Sequence, residues 1–452
     1  MHAVESKLHA LAEQLKESTM TTTLELNKLL AFAREQSNYY ARHLQNVSHQ
    51  INTLDELPVI DAQQYWAHSE NFEHWPVLTS TVERALVFKT GGTTSAGKLS
   101  VFTREEWQTL VRDFGQHLGS QLNPGDRVAN LFFVGDLYAS FVFIHDALAQ
   151  EPAGVTEYPF TGDVDPVVLS DSIRLYRINV LAGIPAQLLT FAAVLERQGQ
   201  TLVEVETVLY GGESLFPAQL QILHRVFPNA RVASIGYASV DAGFIGATSR
   251  DCALGEHRML AGHSVLEIID EHTGEVIEEC DRPGRLLVTN LTRRLMPLIR
   301  YPVGDLACWR EPATAPMRKF ALLGRSASSQ RVRVSSLTLL IDDIDRIVQR
   351  ATASDDWQLI ISQAASIDIL CLKWVSGTQK HATAELDTRL QNGLIEQYPL
   401  IAQLSDDGQL ELQLAQCAHG ELVRHPRSGK RQRIVDLRTY DTPRPEQRPW
   451  TT

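Results

Sequence analysis

Ala85-Leu86-Val87-Phe88-Lys89-Thr90-Gly91-Gly92-Thr93-Thr94-Ser95-Ala96-Gly97-Lys98 runs from an apolar, strand-like segment straight into a loop of glycines, hydroxyls and one lysine. Such a loop suits phosphate. Gly91, Gly92 and Gly97 permit positive φ and close backbone approach, Thr93, Thr94 and Ser95 supply hydroxyl donors, and Lys98 adds a mobile cation. A nucleotide triphosphate is the ligand these residue types fit best. The loop is not a Walker P-loop, which ends in Gly-Lys followed by Ser or Thr, because Leu99 follows Lys98. A plain hairpin turn leading into Leu99, Val101 and Phe102 is the structural alternative.

Moving downstream, Thr103-Arg104-Glu105-Glu106 forms a capping-box pattern and predicts a helix to about Leu122. Short apolar runs at Val128–Val134, Gly154–Tyr158, Val180–Ile184, Thr207–Tyr210 and Val232–Gly236 then alternate with helical patterns at Pro166–Arg174, Gln187–Arg197 and Pro217–Phe227. This alternation predicts a parallel sheet covered by helices. From Ser264 to Trp309 the pattern turns β-rich, which predicts a small antiparallel sheet or barrel. Upstream, residues 1–50 read as helical, and Leu57 to Val77 reads as a linking stretch. The expected class is α/β: a large N-terminal domain, 1–325, with mostly parallel helix-covered sheets and a small β subdomain, and a small mobile α+β C-terminal domain, 326–452. In the latter the pattern predicts a helix at Ile341–Thr352, strands at Gln358–Ser362 and Ile367–Val375, a helix at Ala382–Tyr398 and a strand at Leu410–Leu414.

The 452 residues, 44% hydrophobic and 21% charged, suffice for a large core without staples. A formal net charge of -12 argues against nucleic acid as a partner, since a phosphate backbone demands a basic face. Five cysteines without a CxxC pair fit a reducing compartment, and no charged head precedes an apolar core at the N-terminus. The expected location is the cytoplasm, with no membrane contact: the most apolar stretch, Leu131–Leu148, is broken by Gly135, Asp136, His145 and Asp146.

Four further segments follow the loop in order: Tyr210-Gly211-Gly212-Glu213-Ser214-Leu215, Gly236-Tyr237-Ala238-Ser239-Val240-Asp241, Ile299-Arg300-Tyr301-Pro302-Val303-Gly304-Asp305, and Leu323-Gly324-Arg325. Arg427-Ser428-Gly429-Lys430-Arg431 lies near the end. Together they resemble the adenylate-forming superfamily of acyl-CoA synthetases, peptide-synthetase adenylation domains and luciferases. Leu291 to Tyr301, with the early Asn38-Tyr39-Tyr40, resembles its phenylacetate-CoA ligase-like branch.

That resemblance implies a role for each segment. Thr90, Gly91, Gly92, Thr93, Thr94 and Lys98 would hold the ATP phosphates. Gly211, Gly212 and Glu213 would lie against the adenine, although the same residues suit a tight turn into a helix begun by Pro217. Tyr237, Ala238 and Ser239 would complete the AMP site. Asp241 stands where the family has a glutamate that contacts Mg²⁺, and a shorter carboxylate still suits an ion that keeps several waters. Asp305 would accept the ribose hydroxyls, with Arg325 beside it, and Arg300 and Tyr301 are secondary candidates. Lys430 would be the catalytic lysine, offering positive charge to the reacting phosphate. Phe132, Phe133, Tyr138, Phe141 and Phe244 would wall the acid pocket, and their rings suit an aromatic or cyclic acid.

The implied activity is ATP-dependent formation of an acyl-AMP from a carboxylic acid, with release of pyrophosphate, then transfer to a thiol. Coenzyme A is the expected acceptor. The stretch after Arg325 departs from the family: its usual aspartate is Ala327 or a neighbouring serine, and the glycine after Arg333 is Val334, whose β-branching narrows backbone freedom. Transfer to the pantetheine of an acyl carrier protein, or to an amine, is therefore an alternative, and a non-catalytic nucleotide- or acyl-binding homologue is a third. A homodimer is compatible with the chain but is written nowhere in it. Cys252, His257 and His263 match no zinc signature and bring no evident fourth ligand.

Overall fold

The computed structural model describes residues 21–89, 98–260, 262–325, 331–354, 356–364, 367–375, 383–418, 421–423 and 433–438. Five short strands, Thr156–Pro159, Arg127–Asn130, Val180–Gly183, Thr207–Tyr210 and Arg231–Ser234, form one parallel sheet in that spatial order. Its strands Val180–Gly183 and Thr207–Tyr210 are buried at every position and mostly apolar, as strands covered on both faces are. Proline opens three of these helices, at Pro166, Pro185 and Pro217, where a missing N–H costs nothing. The helix Arg104–Leu118 starts on the expected capping box: Glu106 N donates to Thr103 Oγ1 at 3.1 Å and Thr103 N to Glu106 Oε2 at 2.9 Å. It stops at Leu118, before the expected Leu122, with Gly119 as its C-cap.

The run Val128–Val134, expected as one strand, pairs only through Asn130. Leu131 N still donates to the Ala182 carbonyl at 2.8 Å, and Phe141 N then bonds the Phe133 carbonyl as the chain turns back. The apolar residues after Asn130 thus leave the sheet and become wall rather than ladder.

A second sheet, antiparallel, comprises Glu256–Arg258, Lys319–Arg325, Leu298–Trp309, Gly284–Asn290 and Ser264–Ile269 in spatial order. The stretch Leu57–Val77 is not a linker. Tyr65, Trp66, Trp75 and Val77 are buried in the core shared with this sheet, and the hydroxyls of Tyr40 and Tyr65 both donate to the Pro297 carbonyl at 2.8 Å. Tyrosine and tryptophan can be buried here because each polar tip finds a partner.

The C-terminal residues form their own apolar cluster, which runs from Val332 to Leu410 and includes Trp357 and Trp374. Its four-stranded sheet has the order Leu410–Gln416, Ile367–Trp374, Trp357–Ala364, Ile434–Asp436, with the helices Ile341–Thr352, Thr383–Gln397 and Leu400–Asp406 packed on it. All five expected elements are present within two residues of their predicted ends. The hairpin Arg331–Val334 with Leu337–Leu340 was not expected; its serine and arginine content hides an alternation in which Val332, Val334, Leu337 and Leu339 point inward.

Among the described residues no helix is long and apolar enough to cross a membrane. All five cysteines are free thiols.

Candidate functional site

The parallel strands all end on one side, and the segments following them converge there, as ligand sites of open α/β sheets do. Tyr210 leads into Gly211-Gly212-Glu213, Ser234 into Ile235-Gly236-Tyr237, Asn130 into Leu131-Phe132, and Gly183 into Ile184-Pro185. They border a cavity of about 1510 Å³ that extends to the C-terminal block. Gly211, Gly212, Glu213, Tyr237, Ala238, Ser239, Asp241, Asp305 and Lys98 all line it. Residues far apart in sequence are thus gathered in one place.

Gly211 must be small: a Cβ there would lie 2.6 Å from Ile235 Cγ2. Gly236, at φ +140°, must also be glycine, since an added Cβ would meet the Phe114 ring at 2.8 Å. These two positions let the turns press against the apolar wall.

The Tyr237 hydroxyl donates to Asp305 Oδ2. Asp305 also sits directly opposite Arg325 across the antiparallel pair Leu298–Trp309 and Lys319–Arg325. Three sequence-predicted residues therefore meet, Arg325 through its backbone register. Asp241 lies nearby on the turn between Tyr237–Ser239 and Gly243–Gly246. Its Oδ1 accepts from Ser239 Oγ at 2.6 Å and from Ala242 N at 3.0 Å, and its Oδ2 accepts from the Tyr301 hydroxyl at 2.6 Å.

Among the described residues no three His, Cys, Asp or Glu side chains cluster as a metal site. A single carboxylate nevertheless fits magnesium, which binds through one or two carboxylates plus substrate phosphates. Asp241 lines the cavity and supplies the carboxylate oxygen that this ion takes, so the donor chemistry suits it. Cys252, His257 and His263 do not converge. Cys252 Sγ meets Ser249 Oγ at 3.4 Å, His263 pairs with Asp113 at 2.8 Å, and His257 contacts Ser234 Oγ at 3.0 Å between the rings of Tyr237 and Phe320. His257 is 4% exposed, and burial drives its pKa down to about 4, keeping the imidazole neutral.

Of the five residues expected to wall the acid pocket, Phe132 and Tyr138 line the cavity. Phe133, Phe141 and Phe244 stand behind it: Phe133 packs under Gly162, Phe141 stacks on His145 and Phe244 packs on Phe114. The apolar end is instead made by Phe88, Phe102, Trp107, Phe114 and Phe143. Trp107, Leu110 and Phe114 recur at helical spacing directly after the Thr103 cap, and that periodicity was the available signal. Ring centroids 4.6–5.9 Å apart join Phe114, Phe143, Trp107 and Phe88 into one cluster, edge-on at Phe114–Phe143 and Trp107–Phe143 and tilted at Phe88–Trp107.

Arg293 was also missed as a site-building residue. It is 2% exposed and donates to Ser100 Oγ at 3.3 Å, to the Val101 carbonyl and to the Asp241 carbonyl, with its guanidinium 3.8 Å over the Phe102 ring. One side chain thus ties the strand leaving the glycine-rich loop to the turn carrying Asp241. Glu106 reinforces it by accepting from Arg294 N and Leu295 N at 2.6 and 2.8 Å. Arg300 is structural: its guanidinium pairs with Glu267 at 3.0 Å outside the cavity. Tyr301 lines the cavity and holds Asp241.

Lys98 lies 5.1 Å over the Trp66 ring at the cavity wall. Thr90, Gly91, Gly92, Thr93, Thr94 and Lys430 lie outside the described residues, while the strands Ala85–Lys89 and Leu99–Thr103 flanking the loop pair antiparallel in full register.

Residues 4–292 match the model of the AMP-binding enzyme family. An indoleacetate–lysine synthetase of Pseudomonas savastanoi is 29% identical over 189 residues, 41% of this chain and 43% of the relative. A phenylacetate-coenzyme A ligase of Thermus thermophilus is 25% identical over 295 residues, 62% of this chain and 63% of the relative. The chain thus spans less than two thirds of each of these relatives. Its fold is that of 2-hydroxyisobutyryl-CoA ligase, crystallised with 2-HIB-AMP and CoA in the thioesterification state: TM-score 0.71 at 16% identity, covering 94% of this chain and 90% of the other.

Proposed function

The chain belongs to the AMP-binding enzyme family, and from that premise we propose that it activates an apolar, aromatic carboxylic acid as an acyl-adenylate and passes the acyl group to a second substrate. The observation that carries this reading is the juxtaposition of Tyr237–Asp305 and Ser239–Asp241–Tyr301 with an apolar cluster of aromatic rings in one cavity. The first group offers oxygen acceptors and donors to a nucleotide, and the second takes the acid's apolar body.

In the first half-reaction the acid's carboxylate oxygen attacks the α-phosphorus of ATP. The bond from that phosphorus to the pyrophosphate oxygen breaks, and pyrophosphate leaves. Asp305, oriented by Tyr237, accepts hydrogen bonds from the ribose hydroxyls. Gly211 and Gly212 give the adenine a flat backbone surface, and the Thr90–Lys98 loop holds the terminal phosphates. Lys430 supplies cationic charge to the reacting phosphorus, where fixed charge in a water-poor site has its largest effect. Asp241 and the phosphates would hold Mg²⁺, whose charge offsets that of the phosphates.

In the second half-reaction a nucleophile attacks the acyl carbon and AMP departs. The thiol of coenzyme A is the first reading of that nucleophile. An amine is the second, and the charge of the cavity lining suits it: among the described residues ten Asp and Glu line the cavity against seven Lys and Arg. Glu196 pairs with Arg225 at 2.7 Å, and Asp343 pairs with Arg346. A net acidic lining attracts a protonated amine and repels the phosphates of coenzyme A. Activity on indoleacetate with lysine, named for one relative, fits this lining; activity on phenylacetate with coenzyme A, named for the other, fits the pocket equally well.

Acid-dependent exchange of labelled pyrophosphate into ATP tests the first half-reaction, with phenylacetate, indoleacetate and a panel of other aryl acids. No exchange with any of them would leave a nucleotide- or acyl-binding homologue as the better reading. Product analysis with coenzyme A, lysine and an acyl carrier protein in parallel then identifies the acceptor.

A further inference from the structure

Trp66 carries a cation on its ring. Lys98 Nζ lies 5.1 Å over the indole, and both residues line the cavity. Trp66 is only 7% exposed, and a cation over a desolvated tryptophan is held more firmly than one over a phenylalanine or tyrosine. Lys98 directly precedes the strand Leu99–Thr103.

The indole is fixed from the core side. Trp75 stacks on it with centroids 5.4 Å apart, Tyr65 meets it edge-on at 5.2 Å, and Trp66 Nε1 donates to the Tyr301 hydroxyl at 3.0 Å. Neither Trp75 nor Tyr65 lines the cavity. Both are tied down in turn: Trp75 Nε1 donates to the Tyr65 carbonyl and the Tyr65 hydroxyl to the Pro297 carbonyl, each at 2.8 Å. The short helix Ala62–Trp66 begins on Asp61, whose Oδ1 accepts from Gln63 N at 2.8 Å and from Gln64 N at 3.1 Å. Ile60 N donates to the Arg300 carbonyl at 3.2 Å, which joins this segment to the antiparallel sheet. The orientation of the ring is therefore set before any ligand arrives.

A lysine that contacts phosphate gives up the freedom of a long, flexible stem, and a lysine already held near its working position gives up less on binding. Contact with a π face does not use up the hydrogen-bond donors of an ammonium, so a lysine on a ring still donates to a phosphate oxygen. Asp61, Gln63 and Ala67 line the cavity beside Trp66. The stretch that reads as a linker is thus one wall of the cavity, and its tryptophan is the platform for the lysine.

We propose that Trp66 is a positioning residue for ATP: its ring holds the Lys98 ammonium at the cavity wall, ready for the terminal phosphates, and so strengthens the binding of ATP through Lys98. This rests on the ATP-binding reading above. AMP lacks the phosphates that Lys98 meets in that reading. The contribution of Trp66 therefore falls on ATP and not on AMP.

The test is calorimetric binding of ATP and of AMP, each in EDTA so that no metal takes part. Wild type, Trp66→Leu, Trp66→Phe, Lys98→Met and the double variant Trp66→Leu/Lys98→Met are compared. Trp66→Leu is expected to weaken ATP about fivefold, the size of a desolvated cation–π contact, and to leave AMP within about twofold. Trp66→Phe keeps a ring with a weaker quadrupole and should weaken ATP by about twofold with AMP unchanged; it carries the test if Trp66→Leu does not fold. In the Lys98→Met background Trp66→Leu should add no further loss, because the residue it acts through is gone. Equal losses of ATP and AMP in a folded variant mark a purely structural role and overturn the proposal. Wild-type ATP affinity in Trp66→Leu overturns it too, as does the same loss repeated on Lys98→Met. A wild-type protein that binds neither nucleotide removes the ATP-binding reading itself, an outcome distinct from failure of the Trp66 assignment.

Discussion

The Tyr301 hydroxyl donates to Asp241 Oδ2 across 2.6 Å and at the same time accepts from Trp66 Nε1 at 3.0 Å, so the orientation of a cavity carboxylate is set by the buried aromatic core beneath it. Tyr301→Phe keeps the ring and removes the relay. It is expected to lower stability by about 1 kcal/mol, the net value of one such hydrogen bond, and to raise the magnesium concentration needed for half-maximal pyrophosphate exchange. Asp241→Ala should abolish most exchange, while Asp241→Glu, which restores the carboxylate usual in the family, should retain it; equal exchange in the Ala variant and the wild type would exclude Asp241 from the ATP site.

Asp305 is set by Tyr237 and by its backbone pairing with Arg325. Asp305→Ala is expected to raise the KM for ATP about tenfold or more, because hydrogen bonds to a charged acceptor contribute about 1.5–3 kcal/mol each. Tyr237→Phe should give a smaller rise in the same direction. Steady-state titration of ATP at saturating acid checks both.

Lys430→Ala should cut pyrophosphate exchange by roughly 10²–10³, the usual cost of deleting one preorganised charge at a reacting centre. Thermal unfolding should stay within error of the wild type. A variant that exchanges at the wild-type rate would remove Lys430 from the adenylation step.

Phe143 contributes to the apolar end of the cavity, with its ring 4.6 Å from Phe114 and 5.9 Å from Trp107. Phe143→Ala widens that end. It is expected to lower kcat/KM for the best single-ring acid by about tenfold and to improve bulkier bicyclic acids, since lost pocket contacts are worth roughly 1–3 kcal/mol. Competition between the two acid sizes for exchange measures the shift.

His257 is neutral in the fold because burial lowers its pKa from 6.5 to about 4. Between those values the unfolded chain binds the proton and the folded chain does not. The stability present above pH 6.5 is therefore lost as pH falls through that window toward 4, by about 3 kcal/mol at the most. Urea denaturation at pH 7 and pH 5 should show the loss, and His257→Gln should flatten the part of the pH dependence due to this group.

Local chemistry made much of this fold legible. The prolines at 166, 185 and 217 announce helix starts, the Thr103–Glu106 box announces another, and the alternation of apolar runs with helical patterns gives the parallel sheet. Regular elements depend on neighbours in sequence, and so does their signal. The acid pocket was harder, because an aromatic residue reads the same in a core and in a cavity wall. Phe132 differs from Phe133 only by which side of a departing strand it faces, and Trp107 joins the site only because the helix Arg104–Leu118 packs beside Ser140–Leu148. The Leu57–Val77 stretch looked like a linker because the partners of its aromatic residues lie more than two hundred positions away, at Pro297 and Tyr301.

By itself the sequence determined the family, the order of its motifs and the residue types offered to ATP, since these depend on which groups occur and in what succession. Only the tertiary structure decided which of them meet: Tyr301 under Asp241, Arg293 between Val101 and Asp241, and Arg333 against Glu213. Those pairings join segments tens to hundreds of residues apart. Whether two such groups lie within hydrogen-bond reach is fixed by how sheets and helices pack around the core, and no local pattern encodes it.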